Sequence, residues 1–259
     1  MERYQVILAY DGTRFCGFQR QAGKSEALTV QSILEIALRE MGWQSKAVLV
    51  AGRTDTGVHA AGQVIAFDLE WRHSKETLIR ALNAHLPLDI AARKVKVVAP
   101  NHHPRYAAIA RHYRYRILCE ETRNPLRERY TWRVWPGLRI EPMQEAAQCL
   151  LGTHDFRAFG TPPTIGGSTT RTLMQADWHT EGSEQVFEII GNAFLYHMVR
   201  RIVALLVKIG KGEEEPDNIP DYLADGNPAS LKSLAPPHGL TLMEVIYPPD
   251  YPGENKNIE

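Results

Sequence analysis

Two kinds of apolar periodicity follow one another along this chain in a fixed order, and that order limits the fold more than any other feature. Tyr4–Ala9 is an apolar, β-branched run of strand type. Val30, Ile33, Leu34, Ala37, Leu38 and Met41 then recur at helical spacing and define one buried stripe. Lys46–Ala51 and Gln63–Asp68 read as strands on either side of a glycine-rich loop. Thr77–Leu86 reads as a helix stopped by Pro87, and Ala91–Ala99 as a further strand. The order is β-α-β-β-α-β, the ferredoxin-like unit.

The remainder repeats the pattern. His112–Leu118 is strand-like, and Met143, Ala146, Ala147, Leu150 and Leu151 give a helix its apolar face. Arg171–Thr180 and Gln185–Gly191 form a strand pair. Leu195, Met198, Val199, Ile202, Val203, Leu206 and Ile209 mark a long amphipathic helix, and Leu240–Tyr247 a last strand. The expectation is therefore an α+β protein with two tandem halves, residues 1–103 and 104–259. These would build a central mixed sheet with a cleft in which chemistry would lie.

Bulk properties narrow the function. Thirty basic and thirty acidic residues cancel, so a nucleic-acid partner must be argued from where the charges lie. Nine arginines crowd the stretch from Arg105 to Arg139, opposed within it by Glu120, Glu121 and Glu128, whereas acidic residues gather in Glu213–Asp225. That asymmetry suits an RNA-binding face and equally a solvated charged surface. Ile202–Val207 is far shorter than the ~20 residues a membrane span needs. The Met-Glu-Arg start carries no signal-peptide pattern. Three scattered cysteines, Cys16, Cys119 and Cys149, fit neither a disulfide framework nor a zinc site. The expected setting is the cytoplasm, with no membrane partner.

The most informative segment is Gly52-Arg53-Thr54-Asp55-Thr56-Gly57-Val58-His59-Ala60, a loop between two strands. Asp55 there is either a candidate catalytic carboxylate or a side chain that merely satisfies its own Asx-type turn. A calcium loop would need alternating oxygen ligands and a closing Glu, which are missing. His59, His102 and His103 fit no familiar metal-ligand spacing, so no metal is expected. The loop Thr13–Gln21, with Arg14, Phe15, Phe18 and Arg20, mixes aromatic and basic groups suited to RNA. As an ordinary loop it would hide its aromatics in the core. In His112–Arg116, strand alternation puts Tyr113 and Tyr115 on one face and Arg114 and Arg116 on the other.

The GRTDTGVHA segment resembles the signature of the tRNA pseudouridine synthase A family, whose Asp is the essential catalytic residue. Further blocks follow in family order. Tyr10-Asp11-Gly12-Thr13 with Phe15, Gly17, Phe18 and Gln19 resembles its opening, and Arg105–Ala108 with Arg111, Tyr113 and Tyr115 is similar to its next block. Gly152–Phe156 with Phe159, Gly191–Leu195 with His197–Arg200, and Gly239–Tyr247 complete the series, so the likeness spans nearly the whole chain. Two departures stand out. Asn227–Lys232 lacks an Arg often found there, and His102 replaces a common Phe.

The resemblance implies an isomerase that converts uridine to pseudouridine at positions 38, 39 and 40 of the tRNA anticodon stem-loop, acts as a homodimer and uses no cofactor. It assigns catalysis to Asp55, Tyr113 and Arg200. Arg200 would hold the Asp55 carboxylate ionised, and Tyr113 would stack on the target base. Arg53 would fill the space of a flipped base or hold a phosphate, or else be a loop ion pair. Arg14, Arg20, Phe18, Arg114 and Arg116 are the further expected substrate contacts. Rival readings are a non-catalytic RNA-binding or chaperone protein, a nucleoside hydrolase, and a pseudouridine synthase with another RNA target.

Overall fold

A computed structural model describes residues 1–20, 28–227 and 231–249. The chain divides into two compact units, one of Met1–Ile109 together with Leu242 and beyond, the other of Ala110–Thr241.

The first unit contains β1 (Glu2–Tyr10), α1 (Val30–Glu40), β2 (Leu49–Val50), β3 (His59–Leu69), α2 (Lys75–His85), β4 (Ile90–Val98) and the short α3 (Pro104–Ala107). From β1 to β4 this is the β-α-β-β-α-β order expected from periodicity. β1 lies between β3 and β4, antiparallel to both, with Val6 opposite Ile65 on one side and Val95 on the other. Val6, Leu8, Ile65 and Ala66 have no exposed surface, whereas Ile7 and Ala9, which alternate with them along β1, are half-buried. Thr29 caps α1 through a reciprocal box with Ser32, and Leu34, Ala37 and Leu38 on its stripe are buried.

β2 is shorter than the expected Lys46–Ala51 strand. Glu35 on α1 is fully buried and takes the Val48 N–H at 3.3 Å, drawing that backbone group away from a ladder. Gln31 donates to the other side of the same oxygen at 2.8 Å, and Arg20 and Arg39 face the second oxygen at 3.3 and 3.6 Å. The carboxylate is thus compensated by two cations and two hydrogen bonds, which a buried charge requires. β3 in turn starts four residues earlier than expected, at His59. Gly62 lets it do so: a Cβ there would lie 2.3 Å from the backbone oxygen of Met243.

The second unit contains β5 (Ala110–Leu118), β6 (Trp132–Arg133), α4 (Ile140–Gln148), β7 (Gly152–Asp155), β8 (Thr170–Glu181), β9 (Glu184–Gly191), α5 (Met198–Lys211) and α6 (Ile219–Asp225). β10 (Leu240–Ile246) begins here and continues into the first unit, where it neighbours β3. The second unit's strand order is β5-β9-β8-β7, antiparallel throughout, with β6 added parallel to β5, so the sheet is mixed as expected. α5 packs on α4 where Gly210 admits the Met143 side chain; a Cβ would meet its sulfur at 2.4 Å.

α5 begins at Met198, although the apolar pattern starts at Leu195. His197 adopts a left-handed conformation (φ 67°) that stops the helix from extending backwards. Tyr196 pairs instead with Thr161 through two backbone hydrogen bonds, and Leu195 is buried from this extended stretch. Among the described residues no helix is long and apolar enough to cross a membrane.

His102, one of the two departures from the family pattern, is 3% exposed, with its ring 6.2 Å from that of Tyr247. Burial, aided by Lys96, Arg3 and His103, pushes its pKa down to about 4 from the ordinary 6.5. Between those values the unfolded chain takes up a proton that the folded chain refuses. Stability from this residue is therefore complete above pH 6.5 and is lost as pH falls towards 4, by on the order of 3 kcal/mol. His102→Phe is expected to flatten the pH dependence of the urea midpoint across that window; an unchanged slope would show that His102 does not contribute to it.

Candidate active site

The loop carrying Asp55 is fixed from below by polar groups at buried positions. The Tyr10 hydroxyl, at the end of β1, lies 2.8 Å from the Thr54 hydroxyl. Gln63 on β3 donates to Gly52 O at 2.8 Å and reaches Tyr10 Oη at 3.4 Å. Gln63 has no exposed surface, and Tyr10 and Thr54 are 4% and 7% exposed. Desolvation pushes the Tyr10 pKa up to about 12, against the lowering effect of its two partners, so the phenol stays neutral.

From the side, the loop is clasped by residues 11–18. Phe18 N–H donates to Thr54 O at 3.1 Å, and Gly57 N–H to Phe15 O at 3.3 Å. Within the loop Val58 N–H returns to Asp55 O at 3.1 Å. Contact is so close that a Cβ on Gly12 would lie 2.0 Å from Val58 O, and one on Gly17, already at φ 87°, 2.9 Å from Thr54 O. Asp11 Oδ1 accepts from the Thr13 backbone and hydroxyl, and Gly12 N–H donates to His59 Nδ1 at 3.0 Å. His59 is thus a fastening of this clasp. Asp55 itself is half-buried at the crest, and Arg53 is exposed with no hydrogen bond or ion pair among the described residues.

The structure gives the other expected residues of the first unit distinct surroundings. Arg14 is 65% exposed and pairs with Asp89 at 3.1 Å. Arg20 is committed to buried Glu35 and to Lys46 O at 3.2 Å. Phe18, expected as an RNA contact, has no exposed surface and packs against the Tyr10 ring at 6.2 Å. In this arrangement its ring supports the loop, because a benzyl group gains more from burial than from water. Gln21, the end of that loop, lies outside the described residues.

In the second unit Tyr113 is 9% exposed and meets Phe194 edge-to-face, centroids 5.2 Å apart. Phe194 follows the turn Gly191-Asn192, where Asn192 Oδ1 accepts from Thr172 N and Ala193 N, and Asn192 O from Arg111. Arg200, in the first turn of α5, donates from Nε to Ala235 O at 2.8 Å, and Ala235 N–H donates back to Arg200 O at 3.1 Å. Tyr115 is held by Pro236 O at 2.7 Å; desolvation raises its pKa well above the ordinary value, and the Arg200 charge opposes that rise. Pro228–Ser230, within the stretch that departs from the family pattern, lies outside the described residues.

Arg114 and Arg116 face away from Tyr113 and form a charge ladder with carboxylates remote in sequence. Arg114 and His112 both bind Glu188, each with a contact of 2.6 Å; Arg116 binds Glu184 at 2.6 Å and Glu181 at 3.2 Å. Arg127 joins on Glu184 at 2.6 Å. The sequence reading missed these partners, along with the supports Tyr10 and Gln63. A detectable signal existed for the supports, since each is a polar residue at an inward position of an apolar strand.

Comparison with known proteins supplies the class. The family model described as tRNA pseudouridine synthase matches residues 6–107 and 146–248, segments that include the Asp55 loop, Asn192 and Arg200. Proteins named tRNA pseudouridine synthase A are similar along almost their whole length. That of Limosilactobacillus fermentum is 39% identical, covering 99% of this chain and 100% of its own. That of Neisseria gonorrhoeae is 38% identical, with 96% and 94% covered. That of Shouchella clausii is 41% identical, with 95% and 94% covered. The chain belongs to the tRNA pseudouridine synthase family.

Thr54→Val should release the Tyr10 hydroxyl and loosen the loop at the residue before Asp55. Turnover is expected to fall about ten- to hundred-fold, with tRNA affinity unchanged. Equal losses in both, measured by single-turnover kinetics and filter binding, would assign the contact to folding instead.

Proposed function

We propose that this chain isomerises uridine to pseudouridine at positions 38, 39 and 40 of the tRNA anticodon stem-loop, with Asp55 as the catalytic carboxylate. The observation that carries the reading is Asp55 itself: a half-buried carboxylate at the crest of a loop fixed from below and from the side, inside a segment matched by the family model.

The reaction breaks the C1′–N1 bond, turns the uracil and joins C5 to C1′; the C5 proton is then lost and N1 gains one. No atom of the base or sugar is otherwise exchanged. Positive charge develops at C1′ as the glycosidic bond breaks, and a carboxylate can capture or stabilise it. One carboxylate suffices, because no water has to be activated. Ionised Asp55 is the form that does this, with Arg200 as its counter-charge and Tyr113 stacked on the base. The base must first leave its stack, at a cost of a few kcal/mol. Exposed Arg53, two residues from Asp55, is suited to occupy the vacated space or hold a phosphate.

Substrate tRNAs differ in sequence around the target, so recognition falls to shape and phosphate contacts, with Arg14 at the exposed end of this loop system. Arg20, Arg114 and Arg116 would have to exchange carboxylate partners for phosphates to join in. The homodimer and a cytoplasmic setting belong to the same reading.

Release of tritium from tRNA carrying uridine labelled at C5 tests it. Wild type should release label, Asp55→Ala should bind tRNA and release none, and binding should weaken steeply with added salt. Equal release by both proteins would remove Asp55 from the chemistry. Binding without release by either would leave an RNA-binding protein, and free uracil among the products would mark a hydrolase.

A further inference from the structure

Arg201 stands next to Arg200 in sequence but points elsewhere. Successive helical residues are about 100° apart, and Arg201 shares its stripe with Leu205 and Lys208, at spacings of four and seven residues. That stripe lines a small, partly solvent-open pocket inside the second unit. Leu231, Lys232 and Ser233 line it as well.

The charge balance of this pocket is unusual. Arg201, Lys208 and Lys232 all line it, and none makes a side-chain hydrogen bond or ion pair among the described residues. One carboxylate, Glu214, lines the pocket with them and is engaged by the Asn218 amide and by the Tyr222 hydroxyl at 3.3 Å. Other acidic residues of the neighbouring stretch, such as Glu213 and Asp221, do not line it. Three cations against one carboxylate leave the concavity net positive, which attracts an anion placed among them. Leu205 and Leu231 are buried beneath them, and apolar atoms there reduce the screening of any charge that enters.

We infer that this pocket is a subsite for a backbone phosphodiester of the RNA substrate. The guanidinium fork and two ammonium groups match phosphate oxygens, and the Ser233 hydroxyl offers a further donor. A solvent-open pocket lets a polymer enter and leave, which a single anchored nucleotide would not require. The assignment rests on the isomerase reading, since it takes tRNA as the ligand. It also gives α5 two tasks on adjacent residues, Arg200 as the expected catalytic counter-charge and Arg201 as a phosphate contact.

The test is the salt dependence of tRNA affinity for wild type, Lys232→Gln, the triple variant Arg201→Gln/Lys208→Gln/Lys232→Gln, and the charge-retaining pair Arg201→Lys/Lys208→Arg. Neutralising one phosphate contact reduces the slope of log K against log salt by about 1 and weakens binding about tenfold at low salt. The triple variant should show both effects, and the charge-retaining pair should keep the wild-type slope. Lys232→Gln alone, an exposed change that leaves the helix untouched, should shift affinity in the same direction by less. A wild-type slope in the triple variant would overturn the subsite. So would inorganic phosphate that stabilises wild type thermally but not the triple variant while both keep the same tRNA slope, because the pocket would then take free phosphate. Affinity is read without turnover, so failure of the subsite by slope and failure of the isomerase reading by tritium release are separate results.

Discussion

The hydrogen bond between the hydroxyls of Tyr10 and Thr54 joins the end of β1 to the residue preceding Asp55. A loop tip otherwise moves on fast timescales, and a carboxylate on it would sample many positions. Here the tip inherits the rigidity of the sheet, since β1 is flanked on both sides and Gln63 of β3 ties Gly52 as well. The clasp from residues 11–18 closes the remaining freedom through Phe18 N–H and Gly57 N–H. A half-buried acid is therefore presented in one place without being enclosed.

Much of the frame was legible because burial dictates periodicity. The alternation in β1 and the stripe of α1 follow from which side chains must avoid water, and both elements occur where the pattern puts them. The errors have local physical causes. β2 is short because buried Glu35 captures the Val48 N–H, a tertiary demand that no strand propensity encodes. α5 starts late because His197 is left-handed and Tyr196 pairs across to Thr161. The Asp55 loop stood out by its motif and Tyr10 and Gln63 by their polarity at inward strand positions, but which groups they bind depends on how β1, β3 and the loop meet. The partners of Arg114 and Arg116 were hidden because Glu181, Glu184 and Glu188 lie some seventy residues away and approach only once β5 and β9 pair.

That pairing changes how the neutral net charge should be understood. The arginine-rich stretch suggests a single basic surface, yet several of its members are balanced by carboxylates of β8 and β9. Arg53, Arg201, Lys208 and Lys232 are among the described cations that make no such ion pair.

The contact between the clasp and the Asp55 loop leaves no room for a methyl group at Gly12 or Gly17. Backbone there rests directly on backbone, so the two segments share one register as two teeth of a gear do. A residue inserted into either would push every later atom into the other, and no side chain lies between them to yield. Such segments can exchange an exposed side chain, as at Thr56, but cannot change in length independently. The spacing from Tyr10 to Gly17 and from Gly52 to Val58 is thus inherited as a single ruler, and change in the rest of the chain must be accommodated elsewhere.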